Sequence, residues 1–225
     1  MTELKTPLIV VNFKTYAEVE GPKVLDIASA CQDVAAETGS CIVVCPPLVE
    51  TARVAAAINI PVFSQHIDSK AAGANTGWIT ARGVKAAGAV GTLLNHSEHR
   101  MMMYDISASV KAGNEAGLKT IVCADNSETA QKVAAYEPSY IAIEPPELIG
   151  GDISVTDARP EVVREGVEAV RRIDAHIPVL CGAGVKTGKD VRKAIELGAK
   201  GVLLASGVVK AKDPRVVLRD LVARF

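Results

Sequence analysis

Apolar runs and amphipathic stretches alternate along the whole chain. Residues 8–11 are a continuous apolar run after Pro7 and read as a strand buried on both faces. Residues 21–38 follow, with Pro22 near the start, apolar residues at 24, 27, 28, 31, 34 and 35, and Gly39 as a stop. That spacing predicts a helix with one apolar face. The alternation then repeats. Strands are predicted at 41–45, 61–65, 91–95, 119–123, 140–143, 178–181 and 201–205. Helices are predicted at 48–58, 80–88, 105–116, 127–136, 158–174, 188–197 and 214–224. Gly88, Gly117 and Gly198 stand where helices would stop just before the next strand. Eight such units predict an α/β protein, a single-domain (β/α)8 barrel over residues 1–225, close to the ~250 residues typical of that fold. A doubly wound open sheet competes, but eight units would make it unusually wide. The longest gaps, 67–79 and 150–157, are candidates for functional or interfacial loops.

Composition narrows the function classes. The chain has 225 residues, 48% hydrophobic and 23% charged, enough for one large core. Its net charge is −1 with no basic or acidic tail, so no nucleic acid partner is expected. No apolar run approaches the ~18 residues that span a bilayer, and no leader pattern opens the chain, so no membrane partner is expected either. Cysteines at 31, 41, 45, 123 and 181 are odd in number and lack a Cys-x-x-Cys pair. They predict neither a disulfide framework nor a zinc knuckle, and fit a reducing cytoplasm. Cys41 and Cys45 share a strand face, which predicts core packing. No metal and no cofactor is expected.

In a barrel all strand C-termini share one mouth, so polar residues should follow the strands. They do: Asn12 and Lys14, then Asn95-His96-Ser97-Glu98, then Glu144, then Gly182-Ala183-Gly184, then Ala205-Ser206-Gly207. Glu144 ends a β-branched apolar run and is followed by Pro145 and Pro146, then Glu147, Leu148 and Ile149, then Gly150 and Gly151. Stiff prolines at one end and a glycine hinge at the other suit a lid over 145–151. A carboxylate under such a cover loses water and becomes a stronger base. On this stretch alone, an ordinary proline-rich turn is an equal alternative. The small residues at Gly184, Ala205 and Ser206 offer free backbone N–H groups to a phosphate, although each turn alone is an ordinary one. Residues 182–189 imitate a P-loop with one residue too many, and Asp190 stands where Ser or Thr is required. For His96, a short helix opening at Ser97-Glu98 would keep the imidazole neutral, able to donate to a substrate oxygen. His66, His99 and His176 have no evident partner and read as structural. Lys14 alone would read as a surface lysine; Asn12 could anchor it or hold a substrate oxygen.

Asn12-Phe13-Lys14, Asn95-His96-Ser97-Glu98, and Glu144-Pro145 with Ile149-Gly150 together resemble the triosephosphate isomerases, in order and at fitting spacing. The resemblance spans essentially the whole chain. It is strongest to the shorter archaeal branch, with a Glu-Pro-Pro-Glu-Leu-Ile-Gly lid and Cys-Gly-Ala-Gly and Leu-Leu-Ala-Ser-Gly turns. It implies a TIM barrel that interconverts dihydroxyacetone phosphate and glyceraldehyde 3-phosphate, in glycolysis and gluconeogenesis. By that resemblance Glu144 is the base, neutral His96 the electrophile, Lys14 stabilises the enediolate and Asn12 helps hold its oxygens. Glu98 braces Lys14, and Ile149, Gly184, Ala205 and Ser206 hold the phosphate through backbone N–H groups. The lid departs from the commoner form in having Pro146-Glu147-Leu148 in place of a central aromatic. The turn after strand seven ends in Ala183-Gly184 rather than serine. The resemblance also implies a homo-oligomer, dimer or tetramer, with the 70–78 loop at a subunit contact; an exposed Trp78 would suit it, and a Trp78 packed down on its own chain is an equal alternative. Two alternatives remain: a sugar-phosphate epimerase, whose paired Asp residues or metal set is not found after these strands, and a non-catalytic barrel that binds phosphometabolites.

Overall fold

Eight parallel strands form one sheet in the computed structural model, which describes residues 4–145, 155–182 and 184–223. They are β1 (Leu8–Asn12), β2 (Cys41–Cys45), β3 (Phe63–Ser64), β4 (Gly91–Leu94), β5 (Lys119–Ala124), β6 (Tyr140–Ile143), β7 (Val179–Cys181) and β8 (Gly201–Leu204). Their order is β2-β1-β8-β7-β6-β5-β4-β3. A single parallel bridge from Val44 to Val62 joins the two ends, so the sheet closes on itself. Around it run α1 (Val24–Thr38), α2 (Thr51–Ala57), α3 (Ala81–Ala86), α4 (Met103–Glu115), α5 (Ser127–Ala134), α6 (Val155–Ala158), α7 (Pro160–Arg171), α8 (Gly188–Glu196), α9 (Ser206–Val209) and α10 (Pro214–Val222). This is the (β/α)8 barrel that the alternation predicts.

The strands alternate between two cores. Leu8, Val10, Val43, Cys45, Phe63, Leu93, Ile121, Cys123, Ala142, Leu180 and Leu203 pack with one another inside the barrel. Ile9, Val11, Ile42, Val44 and Val202 pack outward against helices. Because side chains alternate with period two, the inward series continues past the strand ends to Asn12, Asn95, Glu144 and Gly182. These candidate site residues therefore form the top layer of the barrel filling. Gly39, Gly88, Gly117 and Gly198 all have positive φ at the helix ends, as expected of left-handed stops.

The seam between β1 and β8 depends on one glycine. Gly201 pairs with Leu8 and has φ +148°, and a Cβ there would sit 2.2 Å from the Leu8 carbonyl oxygen. The two strands therefore meet at a distance that only a residue without a side chain permits.

Several elements differ from expectation. β3 has only Phe63–Ser64 rather than 61–65. Pro61 has no N–H to donate, and the Ser64 hydroxyl takes the His66 N–H and donates to the His66 carbonyl, which ends the ladder. The helix expected at 158–174 is two helices, α6 and α7. Arg159, just before Pro160, lies at φ −148° and ψ 62°, outside the helical region that a following proline disfavours. α9 was not anticipated. No helix opens at Ser97-Glu98; a turn stands there, closed by the His99 N–H donating to the His96 carbonyl at 2.8 Å.

All five cysteines are free. Burial pushes the Cys31 and Cys181 thiols up to about 12, which makes them inert packing groups.

Candidate active site

Lys14 sits just beyond β1 in a left-handed conformation, φ 49°. Two side chains hold it there. Asn12 Oδ1 accepts the Lys14 N–H at 3.0 Å, and Gln65 Nε2 donates to the Lys14 carbonyl at 2.9 Å and to the Cys45 carbonyl at 3.0 Å. The Lys14 ammonium reaches the mouth and meets Glu98 Oε1 at 2.6 Å. Asn12 thus anchors the lysine's backbone, one of the two roles open to it from sequence. Gln65 carries no motif, and its place just after a short strand gave no chemical signal.

Asn95 shapes the next loop. It too is left-handed, φ 57°, its amide donates to the Cys123 carbonyl at 2.9 Å, and its oxygen accepts the Met101 N–H at 2.9 Å. This bracket ties off residues 95–101 and turns His96 into the barrel. His96 Nδ1 accepts the Glu98 backbone N–H at 3.2 Å. A ring nitrogen that accepts carries no proton, so the imidazole is neutral with its proton on Nε2. The neutrality expected from a helix dipole is thus supplied by one turn. Nε2 faces Glu144 Oε1 at 3.8 Å.

Glu144 is 5% exposed and hangs from the end of β6, where its N–H donates to the Ala124 carbonyl at 2.8 Å. Its Oε2 is buried and has no hydrogen-bond partner among the described residues. A buried acceptor left unpaired is poised to accept. Two neighbours define its seat. A Cβ on Gly182 would come within 2.5 Å of Glu144 Cγ, so only glycine leaves room for the carboxylate. The Cys123 thiol lies beside it and is held well above its ordinary value, first by burial and then by the Glu144 charge. Both residues face inward on their strands by the period-two rule, which is the signal that could have found them.

One cavity at the mouth is lined by Asn12, Lys14, His96 and Glu144 on one side and by Gly184, Ala205 and Ser206 on the other. Gly184 has φ 69°, and α9 begins at Ser206, whose first N–H groups have no partner within the helix. Tyr16 and Lys186 also line the cavity, and neither was singled out from sequence. The Lys210 ammonium lies 4.2 Å over the Tyr16 ring, adding positive charge at the same edge. The P-loop imitation at 182–189 resolves into a capping box, Thr187 with Asp190, at the start of α8. Ser97 lies in the turn after His96. Of the expected lid, Pro145 is buried, while Pro146, Glu147, Leu148, Ile149, Gly150 and Gly151 lie outside the described residues.

His66 and His99 are not solitary. Their rings stack with centroids 4.3 Å apart, and His66 Nε2 lies 3.1 Å from Asp68 Oδ1. Burial lowers the pKa of His66 against the pull of Asp68. The other Asp68 oxygen accepts the Ile79 N–H at 2.7 Å, so the pair pins the loop that follows β3.

The sequence and the fold are similar to those of known proteins. The triosephosphate isomerase of Methanosarcina acetivorans is 50% identical over 217 residues, covering 96% of this chain and 98% of that protein. The triosephosphate isomerase of Methanocaldococcus jannaschii is 49% identical over 215 residues, with 96% and 98% covered. Among solved structures, the triosephosphate isomerase of Bartonella henselae shares the fold at TM-score 0.75 and 21% identity, covering 96% of this chain and 99% of that one. Since the family model for triosephosphate isomerase also matches residues 7–224, the chain belongs to the triosephosphate isomerase family.

Proposed function

We infer that this chain interconverts dihydroxyacetone phosphate and D-glyceraldehyde 3-phosphate by proton transfer through an enediolate, as an aldose–ketose isomerase of glycolysis and gluconeogenesis. The observation that carries the reading is the 3.8 Å approach of a buried carboxylate to a neutral imidazole, with an ammonium at the same mouth. Glu144 removes a proton from the carbon next to the carbonyl and returns it to the neighbouring carbon. The negative charge then develops on oxygen. His96 donates its Nε2 proton there, and Lys14 supplies fixed positive charge, aligned before the reaction begins. Glu98 braces Lys14 at 2.6 Å. Asn12 keeps Lys14 in register and serves the same oxygens. The phosphate takes the side of Gly184, Ala205 and Ser206, with Ile149 added by a lid over 145–151. Closure keeps water from the enediolate, which would otherwise lose phosphate.

A coupled assay with glyceraldehyde 3-phosphate tests the reading: sustained turnover is expected, and no turnover above background would reject it in favour of a barrel that only binds phosphometabolites.

The chain also works as a homo-oligomer, dimer or tetramer, in the cytoplasm, where its free thiols stay reduced. What supports self-association is apolar surface beside the mouth: Val49 is 86% exposed and Trp78 52%. Val49 lines a hollow of about 440 Å³ together with Lys14, Leu48, His66, Glu98 and His99. Light scattering should give a mass that is a multiple of 23.6 kDa, and a lone 23.6 kDa species would refute the assembly.

A further inference from the structure

The end of the barrel opposite the mouth carries another hollow, about 160 Å³, beneath the starts of β1, β7 and β8. Arg171, His176 and Lys200 line it together with Thr6, and no carboxylate is among the lining residues. Among the other described arginines, Arg53, Arg100, Arg159, Arg215 and Arg219 each pair with a carboxylate, while Arg82, Arg164, Arg172 and Arg192 do not. Among the described residues no carboxylate forms an ion pair with Arg171, His176 or Lys200. Asp174, the nearest acid in sequence, turns Oδ1 back to the His176 N–H at 2.8 Å.

Arg171 is exposed, and its guanidinium lies over Gly198. Its terminal nitrogens lie 3.6 and 3.8 Å from where a Cβ on Gly198 would be, so the fork rests against a bare stretch of backbone. An arginine in the last turn of a helix is ordinarily explained by the helix dipole. That accounts for one base, not for three gathered around one hollow in a chain whose net charge is −1.

We propose that this hollow binds a small phosphate-bearing anion. A guanidinium presents two parallel N–H groups to two oxygens of one phosphate, a lysine on the rim adds a second positive charge, and a histidine adds a ring nitrogen within the same hollow. The hollow faces away from Glu144 and His96, so its occupancy is separate from turnover.

The test is isothermal titration calorimetry of the full chain with orthophosphate and, in a second arm, glycerol 1-phosphate. These share the phosphate group and separate a free inorganic ion from a phosphate ester. Wild type should bind one more anion per chain than Arg171→Ala/Lys200→Ala, while kcat and KM for glyceraldehyde 3-phosphate stay within about twofold. What decides is the difference of one, so the test stands even if the mouth binds no phosphate at all. Equal stoichiometry in the two proteins overturns the proposal. Should the double variant fail to fold, Lys200→Ala alone, at an exposed position, decides. About tenfold weaker binding to the additional site is expected from the loss of one charge-assisted contact, and unchanged affinity overturns the proposal.

Discussion

Glu144→Gln is expected to lower kcat by about a thousandfold, the middle of the range for losing a positioned general base. The substitution keeps the shape of the side chain. Its amide oxygen can stay near His96 Nε2, and Gly182 still leaves the room that the group needs. What disappears is the capacity to take a proton from carbon, and a thousandfold corresponds to about 4 kcal/mol of barrier. Affinity for a phosphate-bearing competitive inhibitor should change little, because the side of the cavity proposed for the phosphate is lined by Gly184, Ala205 and Ser206 and not by Glu144. Steady-state kinetics and an inhibition constant on the same preparation check both halves. If the variant kept more than about a tenth of wild-type kcat, within about 1.4 kcal/mol, Glu144 would not be the base.

The second large effect is one of scaffold rather than chemistry. Gly201→Ala should destabilise the fold by about 3 to 5 kcal/mol, combining an overpacked contact with a φ that only glycine adopts comfortably. The added Cβ would meet the Leu8 backbone, its carbonyl oxygen at 2.2 Å and its nitrogen at 2.7 Å. Backbone cannot swing aside as a flexible side chain can, so β8 and β1 must separate at the seam. That seam joins the strand leading to Asn12 and Lys14 with the strand leading to Ala205 and Ser206. Against a typical stability of about 5 to 15 kcal/mol, the expected loss leaves a marginal protein. Guanidinium unfolding monitored by circular dichroism measures it, and a midpoint equal to wild type would show that the seam yields.

Much of this was legible before any coordinates. Continuous apolar runs such as Ile9-Val10-Val11 mark strands buried on both sides, and glycines at 39, 88, 117 and 198 mark the stops. Polar residues just after the apolar runs place Asn12, Lys14, His96 and Glu144 at the strand ends, while the roles expected of them rest on the family resemblance. What escaped depends on single hydrogen bonds between residues distant in sequence. Gln65 reaches Lys14 and Cys45 across two neighbouring strands, and no local pattern announces such a bond. Asn95 closes a loop onto Met101, and that bracket rather than a helix orients His96. His66 and His99 meet only because two loops fold toward each other. β3 falls short of its apolar run because a proline and a serine hydroxyl compete with the ladder.

The left-handed backbone of Lys14 has a consequence of its own. An L-residue other than glycine held there costs about 1 to 2 kcal/mol, so the most relaxed occupant of position 14 would be glycine. Glycine would bring no ammonium. At this position backbone comfort and the proposed chemistry select different amino acids, and a search for stabilising substitutions guided by backbone preference alone would be drawn toward removing the ammonium proposed to act on the substrate.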